Sequence, residues 1–449
     1  MPNDPNLVLR QLGDGLILRR AISADVEALV TFNAQVHSDD GPQKPDLRVG
    51  AWTRDLFEKP HPTLNPSDFT IVEDSANGAI VSSMNLISQT WTYAGIPFGV
   101  GRPELVGTLP EYRNRGLVRA QFEIIHQWSA ARGEKAQAIT GIPFYYRQFG
   151  YEMCVNLGGG RMGYLPHVPP LKEGQPEPYN IRPPREADLT FIQGLYQEAS
   201  HRYLVDCRRD ETAWRYELFG KSEANVNRLV FRLIESEDGE RVGFLAHNVS
   251  NSMNALFARL YELKSGISWS QVSPSVIRYL YATGKANAIR EGKEEQYGAF
   301  GFSLGQEHPV YAALHDSLPR LRKPYAWYLR VIDLPDFLRH IAPVLEGRLS
   351  SSAFSGYNGT LRITFYRSGL ILVIEKGRLI KIEPWEPTPL GHSGDVAFPN
   401  LTFLQLLFGY RTLEELNYAF ADCWWENDES FGLVNALFPK QVSHIWGLS

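Results

Sequence analysis

Short apolar stretches alternate with amphipathic runs through the first 160 or so residues. Leu16-Ile-Leu-Arg19 reads as a strand, and Asp25 precedes a run with helical spacing that extends to Gln35. Phe69-Thr-Ile-Val72 and the stretch from Ala79 to Ile87 read as an antiparallel pair, closed by Asn77-Gly78, a dipeptide suited to a hairpin turn. Trp91 to Phe98 continues the sheet. After Gly116, Val118, Phe122 and Ile125 recur at helical spacing until Gly133, which fits a helix C-terminal cap. Ala138-Ile-Thr140 is then a short strand.

Five prolines between Pro166 and Pro178 mark a linker. An echo of the first block follows it: Arg19-Arg-Ala-Ile-Ser-Ala-Asp25 matches Arg182-Pro-Pro-Arg-Glu-Ala-Asp188, with Leu29 matching Ile192 in the helices behind them. Its place at the start of each block predicts a tandem duplication. A third block opens near Asp333-Leu-Pro-Asp-Phe337. There Leu361–Phe365, Leu370–Ile374 and Arg378–Ile382 predict a meander with turns at Ser368-Gly369 and Lys376-Gly377. Helices come next, one opened by the capping box Thr412-Leu-Glu-Glu415. The pattern predicts an α+β protein of mixed sheets and flanking helices. Its domains fall at 1–165, 179–331 and 332–449, with residues 166–178 as linker.

The first block carries Val106-Gly-Thr-Leu-Pro-Glu-Tyr-Arg-Asn-Arg-Gly-Leu-Val-Arg119, a strand end, a Gly-containing turn and a helix start. Unpaired N–H groups and the positive end of the helix dipole make such a turn a pyrophosphate site. In the second block the nearest counterpart is Val272–Leu280, which has no glycine, and this block is expected to shape the molecule and not to bind phosphate.

Composition narrows the class. The 449 residues are 43% apolar and 21% charged, with a net charge of −5, which describes a folded protein and argues against a nucleic-acid partner. Cys154, Cys207 and Cys423 form neither a disulfide framework nor a metal spacing, and the eleven histidines show no ligand pattern, so no metal is expected. No signal peptide and no bilayer-length apolar run is evident, and a cytoplasmic, membrane-free protein is expected.

The turn at Arg113–Arg119 together with Tyr146-Arg-Gln-Phe-Gly-Tyr151 resembles the acyl-CoA site of GNAT-superfamily N-acetyltransferases. The order of blocks, with Leu404-Gln-Leu-Leu-Phe-Gly-Tyr-Arg411 and Leu437-Phe-Pro439, is similar to the enhanced-intracellular-survival type. That resemblance covers almost the whole chain. It implies two tandem GNAT folds, the second degenerate, and a C-terminal α/β domain like sterol carrier protein type 2. It also implies acetyl-CoA as co-substrate, an amine-bearing small molecule or peptide as acceptor (an aminoglycoside-like polyamine or a lysine amine), and a homo-oligomer.

By the same resemblance, the backbone of Arg113, Asn114, Arg115, Gly116, Leu117 and Val118 grips CoA. Val106 and Thr108 flank the pantetheine arm, and a strand N–H near Thr108 polarises the thioester. Tyr146 is the expected general acid, and the base is the Ser449 carboxylate or Glu104 through a water. Attack is direct, since Cys154 sits in an apolar, strand-like setting. Trp424, Trp425 and Glu426 are candidates for an amine pocket. Structural uses compete: Arg115 and Arg119 as an exposed pair, Tyr145 or Tyr146 as core, Glu104 paired with Arg102, and the tryptophans as core residues on a helix. A binding protein, with the GNAT folds as scaffold and Phe403–Phe408 lining a lipid cleft, is the alternative.

Overall fold

The computed structural model describes residues 7–252, 254–388, 394–399 and 401–449. The first block runs β1 (Val8–Gly13), β2 (Leu16–Arg20), α1 (Val26–Val36), α2 (Leu47–Glu58), β3 (Phe69–Asp74), β4 (Ala79–Tyr93) and β5 (Ile96–Thr108). It continues with α3 (Leu117–Ala131), β6 (Ala136–Ile139), β7 (Glu152–Leu157) and β8 (Gly160–Tyr164). The second block holds β9 (Tyr179–Arg182), α4 (Leu189–Ser200), β10 (Val205–Arg208), α5 (Glu211–Arg215), β11 (Leu229–Ser236) and β12 (Arg241–Asn248). After these come β13 (Ala255–Leu263), α6 (Trp269–Arg290), β14 (Ala299–Phe302), α7 (Pro309–Ala313), β15 (Arg320–Arg322) and β16 (Tyr325–Val331). The third has α8 (Leu334–His340), α9 (Ala342–Ser350), β17 (Gly359–Thr364), β18 (Gly369–Glu375), β19 (Arg378–Trp385) and β20 (Val396–Ala397). It ends with α10 (Phe403–Leu407), α11 (Leu413–Ala419), β21 (Trp424–Trp425) and α12 (Asp428–Leu437).

The hairpin, meander and capping expectations match these elements. Gly78 turns β3 into β4 with φ +72°, Gly133 follows α3 with φ +71°, and the Thr412 and Glu415 side chains cap α11 reciprocally. The first two blocks share one chemical arrangement. Arg19 on β2 pairs with Asp25, which starts the next helical turn, and with Glu73 on β3; Arg182 pairs in the same way with Asp188 and Glu235. Leu29 and Ile192 are both fully buried behind these nodes.

The sheets do not divide at the Pro-rich segment. The first has the order β1-β2-β3-β4-β5-β6-β16-β7, with β10 added to β4, and the second has β15-β8-β14-β13-β12-β11-β9. β8, which precedes the prolines, therefore belongs to the second sheet, and β16 to the first, between β6 and β7. This reciprocal exchange was hidden from the sequence because nothing local to either strand names its partner. The boundaries 165/166 and 331/332 thus mark changes of composition, not of sheet.

Two other expectations need correction. Val272–Leu280 lies inside α6, which starts at Trp269 and runs through Pro274; the turn that corresponds to Leu109–Gly116 is Lys264–Ser268. Burial of Val272 and the edge-on packing of Trp269 against Tyr261 at 5.0 Å outweigh the proline's helix-breaking tendency. The Trp424–Trp425 pair is a two-residue strand on β20, not a helix, because Asn427 behind it already caps α12.

The third block has its own sheet, β19-β18-β17-β20-β21, and its core is continuous with one face of the first sheet through Trp91, Phe98, Trp327, Phe337 and Phe408. Phe403, Leu404 and Phe408 are buried in that core. The C-terminal tail then runs back between the blocks. The Leu204 N–H donates to the Val442 carbonyl at 2.8 Å, Arg209 donates to the Trp446 carbonyl, and the Gln89 amide meets both backbone groups of Leu448. Among the described residues, no helix is long and apolar enough to cross a membrane.

A fragment of residues 1–165 lacks β10, β16 and the tail, and it exposes both edges that flank β16. Circular dichroism on heating should show no cooperative transition for it, against a cooperative one for the full chain. A sharp melt of the fragment would show that the exchanged strands are dispensable.

Candidate active site

β5 and β6 run parallel but pair only at Val100–Ala136 and Gly101–Gln137, then part. Beyond this fork the edge of β5 from Arg102 to Thr108 has no strand beside it. A bulge adds to the opening: Ser83 faces Gly107 but Asn85 faces Glu104, and Leu105 takes φ +51°. The space between the strands is a cleft of about 950 Å³. Its walls include the end of α1 from Val36 to Asp39, the turn before α3, and residues 139–149.

One end of the cleft is formed by the turn into α3. Asn114 (φ +62°) and Gly116 (φ +75°) turn the chain into α3, and Gly116 at the N-cap offers no side chain to the first-turn N–H groups. Those amides, at the positive end of the helix dipole, stand open at the cleft wall. Arg113 lies on the wall with Nε 3.4 Å from the Thr108 carbonyl. Val118 also lines the cleft, packed on the Phe122–Tyr146 cluster, and leaves the cavity open. The Arg115 side chain lies elsewhere: it pairs with Asp14 at 3.0 Å and anchors the turn to the β1–β2 hairpin.

The other end carries Tyr146, Tyr145 and Glu104. Tyr146, on a short 3₁₀ turn, is 4% exposed and set edge-on to Tyr145 and Phe122. Burial, and next the Glu104 carboxylate, push its phenol well above the usual tyrosine range, while a hydrogen bond from the Ile142 backbone acts the other way. The phenol is therefore protonated at any ordinary pH. Tyr145 also lines the cleft, its phenol raised by burial and eased by Arg119. Glu104 on β5 is ion-paired with Arg102, whose other nitrogen donates to the Leu448 carbonyl at 2.7 Å.

The cleft thus gathers Glu104, Val106, Thr108, Arg113, Asn114, Gly116, Leu117, Val118 and Tyr146. Ser449 and Trp424–Glu426 are not on its wall. Ser449 is buried with its hydroxyl accepting from Lys221 at 3.2 Å, and Trp425 packs on Phe431 at 4.8 Å. Two groups on the wall escaped the sequence reading. Arg119 bridges α3 to Gln148 at 3.0 Å; its place one helical turn beyond Gly116 was a usable signal. His37 caps the end of α1, held neutral by burial and hydrogen-bonded to the Leu105 backbone, and nothing in its local sequence announced it.

Residues 18–154 match the family model described as an acetyltransferase (GNAT) domain. No curated protein matches the chain by sequence. Among solved structures, it is similar to a probable N-acyltransferase from Enterococcus faecalis V583, with 13% identity, TM-score 0.62, and 95% of this chain and 97% of that one covered. A GCN5-related N-acetyltransferase from Kribbella flavida has 17% identity, TM-score 0.59, and coverage of 96% and 97%. Eis1 from Mycobacterium abscessus has 13% identity, TM-score 0.54, and coverage of 95% and 99%. At these identities the likeness is one of fold.

Gly116 and Arg115 should separate in stability. Gly116→Ala meets no steric clash but forces a left-handed backbone on alanine, and denaturant unfolding should show a loss of about 1–2 kcal/mol. Arg115→Ala removes a pair with the exposed Asp14 and should change stability by less than about 0.5 kcal/mol. Equal losses would mean that the turn does not depend on the glycine.

Proposed function

We propose that the cleft binds acetyl-CoA and that its acetyl group passes to a primary amine by direct attack, a reading supported by the match of residues 18–154 to the acetyltransferase (GNAT) domain model. The observation that carries this reading is one 950 Å³ cleft with open helix-start amides at one end and a buried, protonated phenol at the other. The backbone from Arg113 to Val118 takes the pyrophosphate, with Arg113 and Arg119 beside it. The free edge of β5 at Val106 and Thr108 lies along the pantetheine arm, and an N–H near Thr108 faces the developing oxyanion.

As the tetrahedral intermediate collapses, the carbon–sulfur bond breaks and Tyr146 gives its proton to the leaving sulfur. The incoming ammonium first loses a proton, through water, to Glu104. We assign the base to Glu104 over Ser449 because only Glu104 is on the cleft wall. The acceptor fits an amine class such as an aminoglycoside-like polyamine or a lysine side chain, and the domain order supports the enhanced-intracellular-survival type, with a sterol-carrier-like third domain. A homo-oligomer in the cytoplasm completes the reading; the three buried, unpaired cysteines suit a reducing compartment.

Acetyl-CoA at about 100 times its Kd should add roughly 2.7 kcal/mol to the native state, seen as a rise in Tm. No rise would remove the cleft from acyl-CoA chemistry and favour a carrier. Tyr146→Phe should keep that rise while kcat in a thiol-release assay with amines falls by about 10²–10⁴; an unchanged kcat would clear Tyr146 of the acid role.

The pH profile gives a separate check. A general acid works while protonated, and a phenol raised above its ordinary value stays protonated to higher pH. The kcat should therefore not fall on the alkaline side below about pH 10, the ordinary tyrosine value. A descending limb centred near pH 8 would point to a different acid.

A further inference from the structure

The second repeat keeps a cleft of its own. Its elements follow those of the first: β13 and β14 run parallel as β5 and β6 do, α6 stands where α3 does, and β12–β13 carries a bulge at the matching place, between Ala246 and His247. The end of α4 replaces the end of α1. In this repeat the parallel strands stay paired over four residues, from Ala255 to Ala258, and the fork is closed. What remains is a small inner chamber bounded by Glu262, His308 and the tail's His444. A cleft of about 500 Å³ adjoins it, between α4, β10, the end of β4 and the tail. Tyr196, Ser200, Tyr203 and Asp206 line both.

Asp206 is the unusual group. It is 4% exposed, and among the described residues its Oδ1 has no hydrogen-bond partner, while Ser200 hydrogen-bonds the carboxyl. A buried carboxyl oxygen without a donor costs a protein stability. Of the cations that act on it, Arg209 sits on the Trp446 carbonyl and ring, while Arg208 and His201 line the open cleft; Arg202 nearby pairs with Glu262. The Tyr203 hydroxyl at the same junction is buried and hydrogen-bonded by Arg202. Besides Arg208, Arg209, His201 and Asp210, the open cleft offers neutral hydrogen-bonding side chains, among them Gln193, Gln197, Thr90 and Thr92.

We propose that this second cleft binds a small primary amine, whose ammonium donates to Asp206 Oδ1. An ammonium carries three donors and no acceptor, which suits the carboxyl oxygen left open at Asp206 Oδ1. The cleft volume lies in the range of small-molecule sites. The site does not depend on the acetyl-transfer reading, since none of its residues touches the first cleft.

Equilibrium dialysis of the full chain with radiolabelled 1,4-diaminobutane tests this. The wild type should bind it at millimolar concentrations or below, and Asp206→Asn, which keeps the shape but loses the charge, should weaken that binding at least tenfold. Gln197→Trp, on the exposed face of α4, should block entry while leaving Tm unchanged, which guards against a folding artefact. Glu104→Gln in the first cleft should leave the Asp206-dependent binding in place. No binding to the wild type, equal binding to Asp206→Asn, or loss confined to Glu104→Gln would overturn the proposal: Asp206 would then be satisfied by water, or the amine would sit in the first cleft.

Discussion

Two parallel strands that separate after two paired residues impose the constraint on which the rest of the molecule depends. A sheet torn open inside a domain leaves backbone groups without partners, and water or a ligand must supply them. The tear persists because both sides are fixed. On β5, a Cβ at Gly107 would meet Val36 Cγ1 at 2.6 Å, so only glycine lets the end of α1 close under the strand. On the β6 side, the Tyr325 hydroxyl donates to the Gly141 carbonyl at 2.7 Å and the Phe144 N–H donates to the Tyr328 hydroxyl at 3.2 Å. Both tyrosines come from β16, so the loop that leads to Tyr146 is held by a strand from the far end of the second block.

That dependence explains why the repeats are interlocked. Each keeps the same Arg–Asp–Glu node at its start and the same bulged strand pair. They differ at the fork, with two parallel pairs in one and four in the other. The exchange of β8 and β16 makes each sheet the other's support, and the tail adds a third tie through Gln89, Leu204 and Arg209. One repeat holds an open cleft while the other is closed at its fork and braces it.

The sequence was legible where chemistry is local. Arg113 to Val118 and Tyr146 lie within short motifs whose backbone and neighbours are set by adjacent residues, and the structure gathers most of them on one wall. The parts that escaped depend on distance along the chain. Nothing near Tyr325 says that β16 inserts between β6 and β7, nothing near His37 says that β5 bulges above it, and Arg115 looked like its neighbours until Asp14, 101 residues away, claimed its side chain. The tryptophan pair failed for a different reason: a cap at Asn427 outranks the helical look of the residues before it.

Glu104 shows how these distant ties reach the chemistry. Its carboxylate is paired with Arg102, and Arg102 is fixed between the Leu448 carbonyl and the Trp327 ring, 5.1 Å away. The same carboxylate is the second largest cause, after burial, of the upward shift at Tyr146. One ion pair therefore bears on both proton-transfer groups of the proposed reaction: it orients the base and helps keep the acid protonated. Enzymes that need an acid and a base in one site separate their proton affinities by environment. Here the Tyr146 phenol is raised by its own burial first and by Glu104 second, and the Glu104 carboxylate is held in place by Arg102, which the tail and β16 fix in turn. The tail and the exchanged strand are thus part of the site's electrostatics as well as of its scaffold.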